Sequence, residues 1–187
     1  MSNSQMSLEE SAKATRSYLE DQLFDPWHNT EFEGYRYVGN KQKGAWGEQV
    51  ASHMLETMGC KVEPPTNAGH DRIIDGKKVE MKFSLATTNN KTHQIQNDSF
   101  ILNHVSVGKD WEYLLFIGVN FKEEFRRMIL TKSKFIEIIQ DENQPYFNRQ
   151  QGGDKVGNDD WMCQSKHLIN LIESDHVESL ENWKEII

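Results

Sequence analysis

The amino-acid sequence predicts an α/β fold on the basis of three local patterns. Asp75-Gly76 lies between two short runs of apolar and β-branched residues, which is typical of a tight β-hairpin. The run EYLLFIGVNF, residues 112–121, is apolar enough to form a strand that is buried on both faces. Apolar residues at helical spacing in residues 43–58 predict a helix before the hairpin.

The first predicted element is a helix over residues 8–24. Ser7 is a suitable N-cap residue, and Glu9 and Glu10 place negative charge in the first helical turn. The sequence after this helix, up to residue 42, has no regular periodicity and is predicted to be an irregular connector.

A second helix is predicted to begin near residue 43. Its apolar residues recur at helical spacing: Val50, Ala51, Met54 and Met58. Gly59 is expected to end this helix, because glycine adopts the positive φ that commonly follows a helix C-terminus. Residues 61–63 can then begin the first strand.

The predicted hairpin determines which residues face each other. With a two-residue loop at Asp75-Gly76, Asp71 is opposite Glu80. Side chains alternate along a strand, so one face carries most of the charged groups: Asp71, Ile73, Lys78, Glu80 and Lys82. The other face is mostly apolar and is predicted to face the core: Arg72, Ile74, Val79, Met81 and Phe83. A three-residue loop would break this pairing.

Two carboxylates, those of Asp71 and Glu80, are therefore expected side by side. Like charges opposite each other destabilise a sheet unless a cation lies between them. Mg²⁺ binds one or two carboxylates together with waters and phosphate oxygens, and Lys82 on the same face can hold a phosphate or activate a water. The alternative is a solvated face with mixed charges. Asp75 is expected only to support the turn, so that Asp75→Asn would have little effect.

A long polar segment, residues 84–99, follows the hairpin and is either a binding loop or a plain solvent-exposed loop. Three elements are predicted after it: a strand within residues 99–105, the buried strand of residues 112–121, and a strand ending at Leu130 that leads into a helix capped by Thr131 or Ser133.

The remaining part of the chain is predicted to contain a loop and a helix. Residues 148–161, rich in Gly and Asp, are predicted to be a surface connector, with a mobile recognition loop as the alternative. Their acids lack EF-hand spacing, which argues against a Ca²⁺ site. VESLENWKEII is predicted to be a short amphipathic helix. Its apolar side chains can dock on the core or on a second subunit: Leu180, Trp183, Ile186 and Ile187.

Composition narrows the class of protein. The 187 residues are expected to form one domain with a substantial core. No apolar run reaches membrane length, and residues 1–13 lack the apolar stretch of a signal peptide. Cys60 and Cys163 have no metal-ligand spacing, which argues against zinc and fits a reducing cytoplasmic location. The net charge of −8 argues against broad non-specific affinity for nucleic acid.

Two motifs resemble those of the PD-(D/E)XK nuclease superfamily, whose fold is that of restriction endonucleases. One is G-x-D at residues 69–71, followed by a strand, a turn and VEMK at residues 79–82. The other is KGAWGEQVASHMLETMGCKVE, which carries Glu48 and resembles the first core helix of that superfamily. The resemblance covers about residues 43–140 and departs from the family pattern at His70, where the family has Pro.

The resemblance implies an architecture. A restriction-endonuclease-like core, with a central mixed β-sheet flanked by helices, is expected in residues 43–140. Residues 1–42 would form an N-terminal helix and connector, and residues 141–187 a C-terminal loop and helix, all within a single nuclease domain.

The resemblance also implies Mg²⁺-dependent cleavage of DNA, with Mn²⁺ able to substitute. Asp71, Glu80 and the main-chain carbonyl of Met81 would hold the metal. Lys82 would position or activate the attacking water, and Glu48 would assist through a second metal or a bound water. An acidic residue that merely favours the helix dipole is the alternative for Glu48.

Several polar residues are candidates for contacts to DNA. Gln94 and Gln96 can read adenine edges in the major groove. Arg36, Lys41 and Lys43 are candidate phosphate contacts, for which ordinary solvated side chains are the alternative.

The predicted function is that of a small type II restriction endonuclease that cuts double-stranded DNA as a homodimer. Low non-specific affinity favours a specific enzyme over a general nuclease. Three alternatives remain: a junction-resolving or repair nuclease, a non-catalytic DNA-binding module, and a structural or protein-binding domain.

Overall fold

The computed structural model describes residues 7–88, 92, 94–150 and 159–186. They belong to two compact units, Met1–Val38 and Gly39–Ile187. No described helix is both long enough and apolar enough to cross a membrane. The boundaries expected from the resemblance, at residues 42 and 140, stay a prediction.

The first unit begins with two short helices, α1 (Leu8–Ala14) and α2 (Arg16–Leu23), so the prediction of one continuous helix is wrong. The break lies at Thr15, whose backbone leaves the helical conformation with a φ of −104° and a ψ of 7°, and whose hydroxyl donates to the carbonyl of Ser11 at 3.0 Å. The predicted cap is confirmed. Ser7 and Glu10 form a reciprocal capping box, with bonds of 3.2 and 2.8 Å.

The second unit begins with the long helix α3 (Asn40–Thr57). The helix starts three residues before the predicted position, so Lys41 and Lys43 lie within it. Its buried residues recur every fourth position: Gly47, Ala51 and Leu55. Gly59 adopts a φ of +81° just after the helix, as predicted.

Eight strands follow among the described residues, in two sheets. In chain order they are β1 (Val62–Glu63), β2 (Arg72–Ile74), β3 (Lys77–Leu85), β4 (Ile101–Ser106), β5 (Tyr113–Val119), β6 (Phe125–Thr131), β7 (Asn148–Arg149) and β8 (Asp160–Gln164). The central sheet has the order β1-β2-β3-β5-β6 and the smaller sheet the order β4-β8-β7. In the central sheet β3 and β5 run parallel and the other neighbours antiparallel, so this sheet is mixed, as expected.

The hairpin has the predicted register. Arg72 pairs with Val79 and Ile74 with Lys77, which leaves Asp75-Gly76 as a two-residue loop. Both loop residues have positive φ, +48° and +83°, which is the requirement of a type I′ turn.

The apolar face of the hairpin is directed toward the core, as predicted, and it packs against α3. Buried residues of α3, of the hairpin and of strands β5 and β6 form one core: Ala51, Leu55, Ile74, Val79, Met81, Leu115, Ile117 and Ile129. Leu180 and Trp183 belong to the same core, so the C-terminal segment docks on its own chain. Its helical part consists of a 3-10 turn (Leu180–Asn182) and α6 (Trp183–Ile186), and Ile187 lies outside the described residues.

The predicted strand within residues 99–105 exists as β4, but it lies in the smaller sheet. The predicted connector of residues 148–161 is wrong at both ends. Arg149 pairs with Trp161 in the β7–β8 ladder, and residues 151–158 lie outside the described part of the chain.

Two further helices lie in this unit. The helix α4 (Lys132–Gln140) is capped by Thr131, whose side chain accepts from the Lys134 N–H at 3.2 Å. This confirms one of the two caps expected from the sequence. The helix α5 (Ser165–Ile172) follows β8 directly.

Candidate active site

The carboxylate of Asp71 closes the open end of the hairpin. Its Oδ2 accepts a hydrogen bond from the Met81 N–H at 2.7 Å, and its own N–H donates to the Val79 carbonyl at 3.0 Å. The regular ladder therefore ends at the pair of Arg72 and Val79, and beyond it the Asp71 side chain accepts from the Met81 N–H in place of a backbone carbonyl. Asp71 is thus held against the strand segment that carries Glu80.

Glu80 is a buried carboxylate with an uneven set of partners. Its side chain is 1% exposed. Oε1 accepts from the Lys82 Nζ at 2.7 Å and from the Lys109 Nζ at 2.8 Å. Oε2 is buried and makes no hydrogen bond within the described structure. An unpaired buried carboxylate oxygen is costly, so it marks a place where a further partner would stabilise the protein.

The two acids influence each other electrostatically. Burial raises the pKa of Asp71, and the nearby charge of Glu80 raises this pKa further. The hydrogen bond from Met81 and the charges of Lys82 and Lys109 act in the opposite direction. The two carboxylates therefore lie close enough to interact, as predicted, and Lys82 and Lys109 provide the opposing positive charge.

Lys109 was not predicted from the sequence. It lies in the turn between β4 and β5, and its side chain is 37% exposed. Burial acts to lower the pKa of Lys109, but the hydrogen bond and charge of Glu80, with the charges of Asp71 and Asp160, raise this pKa overall. The only available signal was topological, because β5 must lie beside β3 before the residues that precede β5 can reach Glu80.

Glu48 reaches the site through Arg72. The Glu48 carboxylate pairs with the Arg72 Nη1 at 3.0 Å, and the same nitrogen donates to the Asp71 carbonyl at 2.6 Å. The Arg72 Nε also donates to the Ser52 hydroxyl at 3.2 Å. Burial raises the pKa of Glu48, the charge of Asp71 raises it further, and the charge of Arg72 lowers it. A charged residue on the apolar face of the hairpin was the sequence signal for this bridge.

A glycine allows α3 to bring Glu48 this close. Gly47 packs directly on the side chain of Phe83, and a Cβ at this position would lie 2.8 Å from the Phe83 Cγ. Phe83 follows Lys82 in β3, so the helix and the strand meet one residue away from two predicted site residues.

The residues before Asp71 are held by Asp110. His70 is buried, and its Nδ1 bonds to the Asp110 carbonyl at 3.1 Å while its Nε2 accepts from the Thr66 N–H at 3.3 Å. Gly69 permits this approach, because a Cβ there would lie 2.6 Å from the Asp110 nitrogen. The Asp110 carboxylate in turn accepts from Lys78 at 2.7 Å.

The structure therefore brings together five of the predicted site residues: Glu48, Asp71, Glu80, Met81 and Lys82. Lys41 and Lys43 lie at the start of α3, and Gln94 and Gln96 are exposed in the segment after β3. The roles assigned to all of these residues stay predictions.

The donor set fits a hard divalent cation. Mg²⁺ commonly uses only one or two carboxylates and fills its remaining positions with waters and substrate oxygens. Asp71 and the unpaired Oε2 of Glu80 offer this kind of incomplete set. Among the described residues, no group of three or more acidic, His or Cys side chains forms a ready ion cage. A site here would therefore depend on water and substrate for its other ligands.

No protein-family model and no curated protein matches the chain. The chain is similar to the solved structure of a bacterial homing endonuclease, I-Ssp6803I, with 22% sequence identity and a TM-score of 0.38. The similarity covers 52% of this chain and 69% of the endonuclease. This score is too low to establish a shared fold.

Proposed function

We propose that this protein is a Mg²⁺-dependent endodeoxyribonuclease with a restriction-endonuclease-like core. The observation that carries the proposal is the buried, unpaired Oε2 of Glu80 beside the carboxylate of Asp71. A protein selected only for stability would satisfy or remove such an oxygen. A cation-binding role explains why it is retained.

Asp71, Glu80 and the Met81 carbonyl would hold the cation. When bound, Mg²⁺ neutralises charge on the scissile phosphate and makes a coordinated water more acidic. The chain supports this chemistry by holding the carboxylates of Asp71 and Glu80 in fixed positions. Asp71 is anchored to the Met81 N–H, and Glu80 lies in the middle of a nine-residue strand.

Lys82 and Glu48 would act on the attacking water and on the charge that develops. The Lys82 ammonium, 2.7 Å from Glu80 Oε1, is fixed close to the metal ligands and can orient a water or stabilise the oxyanion. The raised pKa of Glu48 makes this carboxylate a better proton acceptor than an ordinary exposed one. Arg72 keeps Glu48 directed toward Asp71.

The more specific form of the proposal is a type II restriction endonuclease acting on double-stranded DNA as a homodimer. A junction-resolving or repair nuclease is the alternative within the same chemistry. Branched or damaged DNA would then be cut in preference to a linear duplex, so a comparison of these substrates distinguishes the two.

The direct test is digestion of plasmid DNA with and without Mg²⁺. Discrete fragments indicate a restriction enzyme, and a smear indicates a non-specific nuclease. Absence of Mg²⁺-dependent cutting on plasmid, branched and damaged DNA alike would contradict the proposal.

Two substitutions test the assignment of the acids. Asp71→Asn and Glu80→Gln are each expected to lower the cleavage rate at least about 100-fold, because each removes a charge directed at the metal. The amide oxygen introduced by Asp71→Asn would still accept from the Met81 N–H, so the fold should survive. Glu63→Gln is the matched control, since Glu63 also lies in the central sheet and pairs with a lysine, Lys61, at 2.9 Å. Equal activity in all three variants would show that the acids are misassigned.

A further inference from the structure

Two ammonium groups converge on a single oxygen of Glu80. The Lys82 Nζ lies 2.7 Å and the Lys109 Nζ 2.8 Å from Oε1, while Oε2 makes no hydrogen bond in the described structure. Two cations on one oxygen repel each other, and one would already form a complete ion pair. The second lysine matches the charge of the second carboxylate in the cluster, that of Asp71, on which the charge of Lys109 also acts.

The four side chains of this cluster therefore have no net charge, and a bound cation would change that. Without a divalent cation, the carboxylates of Asp71 and Glu80 are balanced by the ammonium groups of Lys82 and Lys109. A bound divalent cation would add two positive charges to this neutral group. The loaded cluster would then attract an anion, and a DNA phosphodiester is the anion that the proposed reaction requires.

Lys109 is the lysine better placed to change partners. Its side chain is 37% exposed, whereas that of Lys82 is 18% exposed and belongs to the interior of a strand. The backbone around Lys109 is fixed. Its carbonyl accepts from the Lys132 Nζ at 2.5 Å, and the preceding Gly108 N–H donates to Asp159 at 2.9 Å. A long side chain on a fixed turn can move without any rearrangement of the fold.

We propose that Lys109 is a phosphate-binding residue that pairs with Glu80 in the absence of a divalent cation and binds the DNA backbone when the cation is present. This inference rests on the proposed nuclease function. It adds a residue that neither motif contains, and it makes Lys109 both a competitor of the metal for Glu80 and a ligand of the substrate.

The two proposed roles of Lys109 predict that its replacement changes cation binding and DNA binding in opposite directions. Replacement of Lys109 by Met removes a competing cation from Glu80, so the protein should bind a divalent cation more tightly in the absence of DNA. The same replacement removes a phosphate contact, so cation-dependent DNA binding should weaken. A purely structural role for Lys109 would make both kinds of binding weaker, because the site would lose its shape.

The experiment uses the full chain and three variants. Lys109→Met is compared with Lys109→Arg and with the control Lys78→Met. Lys78 is suitable because its side chain is also 37% exposed and also pairs with an acid, Asp110, at 2.7 Å. Mn²⁺ binding is measured calorimetrically without DNA. Binding of a mixed-sequence duplex is measured by fluorescence anisotropy with Ca²⁺, at several salt concentrations.

Lys109→Met is expected to bind Mn²⁺ several-fold more tightly and the duplex about tenfold more weakly, with a salt dependence reduced by about one unit. Lys109→Arg should retain duplex binding, and Lys78→Met should resemble the wild type in both assays. If Lys109→Met matches Lys78→Met, or if it weakens both kinds of binding, the proposal is overturned.

Failure of this inference can be distinguished from failure of the proposed function. Mg²⁺-dependent cleavage by the wild type, together with an unaltered Lys109→Met variant, would overturn the role of Lys109 alone. A wild type that neither binds Mn²⁺ nor cuts DNA would overturn both.

Discussion

Asp71 and Asp75 lie four residues apart in one hairpin and make different kinds of bond. Asp71 accepts from the next strand of the same hairpin, at the end where Glu80 and Lys82 lie. Asp75 accepts from two distant parts of the chain: the Lys61 N–H at 2.8 Å and the Trp183 Nε1 at 3.0 Å. The role of Asp75 therefore extends beyond the turn. The expectation that Asp75→Asn would have little effect no longer holds, and a loss of stability is expected instead.

Asp75→Asn is expected to lower the free energy of unfolding by about 1–3 kcal/mol, because one of the two donors loses its acceptor. The measurement is urea denaturation at neutral pH. Asp141→Asn, at an exposed acid that caps its own turn, serves as the control. A double-mutant cycle with Trp183→Phe should show that the two losses overlap.

The stabilising effect of Asp75 should depend on pH. The hydrogen bond from Lys61 is the main reason that the pKa of Asp75 lies below its ordinary value. A carboxyl group whose pKa is lower in the folded than in the unfolded state stabilises the fold above the unfolded pKa, and this effect is lost as pH falls through the folded value. The difference between wild type and Asp75→Asn should therefore be largest near pH 7 and shrink below about pH 4. A difference that is constant between pH 7 and pH 3 would contradict this origin.

The contact between α3 and β3 is the element-scale feature that assembles the site. Gly47→Ala should lower the free energy of unfolding by about 1–3 kcal/mol, since the new Cβ cannot fit against Phe83. The same substitution should reduce cleavage by displacing Glu48 from Asp71. Thermal denaturation and the cleavage rate provide the two measurements.

Gly44 provides the control within the same helix. A Cβ at Gly44 meets no atom within 4 Å, so Gly44→Ala should stabilise the protein by up to about 1 kcal/mol through helix propensity alone. Similar effects of the two substitutions would show that α3 and β3 are less closely packed than described.

Elements with strong local signals could be predicted from the sequence. The turn chemistry of Asp75-Gly76 gave the hairpin register, apolar periodicity gave α3, and a continuous apolar run gave β5. The break at Thr15 was missed because no Gly or Pro marks it in the sequence and the residues on both sides are suited to a helix. The smaller sheet was missed because its pairings join segments far apart in sequence, such as Val105 with Trp161.

In the candidate site, too, the features set by local sequence could be predicted and those set by distant contacts could not. The proximity of Asp71 to Glu80 follows from the hairpin register, although the ladder itself ends at the pair of Arg72 and Val79, and the position of Lys82 follows from strand alternation. Lys109 depends on the parallel neighbour of β3, which no local pattern specifies. Arg72 was predicted to lie on the core-facing side of the hairpin, but its bridge to Glu48 depends on how closely α3 approaches that side.

At the scale of the whole molecule, the net charge of −8 must be reconciled with the proposal that DNA is the substrate. We expect a local positive groove near Lys82, with Lys41 or Lys43 at its edge. Replacing a lysine that contacts phosphate should weaken binding to all sequences alike and reduce the salt dependence by about one unit. Unchanged affinity and salt dependence in both Lys41→Ala and Lys43→Ala would assign these lysines to ordinary surface.

Cleavage of both strands at a symmetric duplex sequence requires two active sites. The described residues of each chain carry one candidate active site. We therefore predict that a homodimer cuts both strands, with sedimentation of the protein on duplex DNA as the measurement. A monomer on its DNA, with nicked product accumulating before linear product, would contradict this prediction.

The bond between Asp75 and Trp183 joins residues that are 108 positions apart. Trp183 is buried against Tyr113, with a ring separation of 5.3 Å, so the indole cannot leave its place without exposing the core beside the hairpin. Local opening of the C-terminal segment and of the hairpin turn should therefore occur as one cooperative event. In native-state hydrogen exchange, the Trp183 indole and the Lys61 amide would then report the same opening free energy, although no strand pairing connects them.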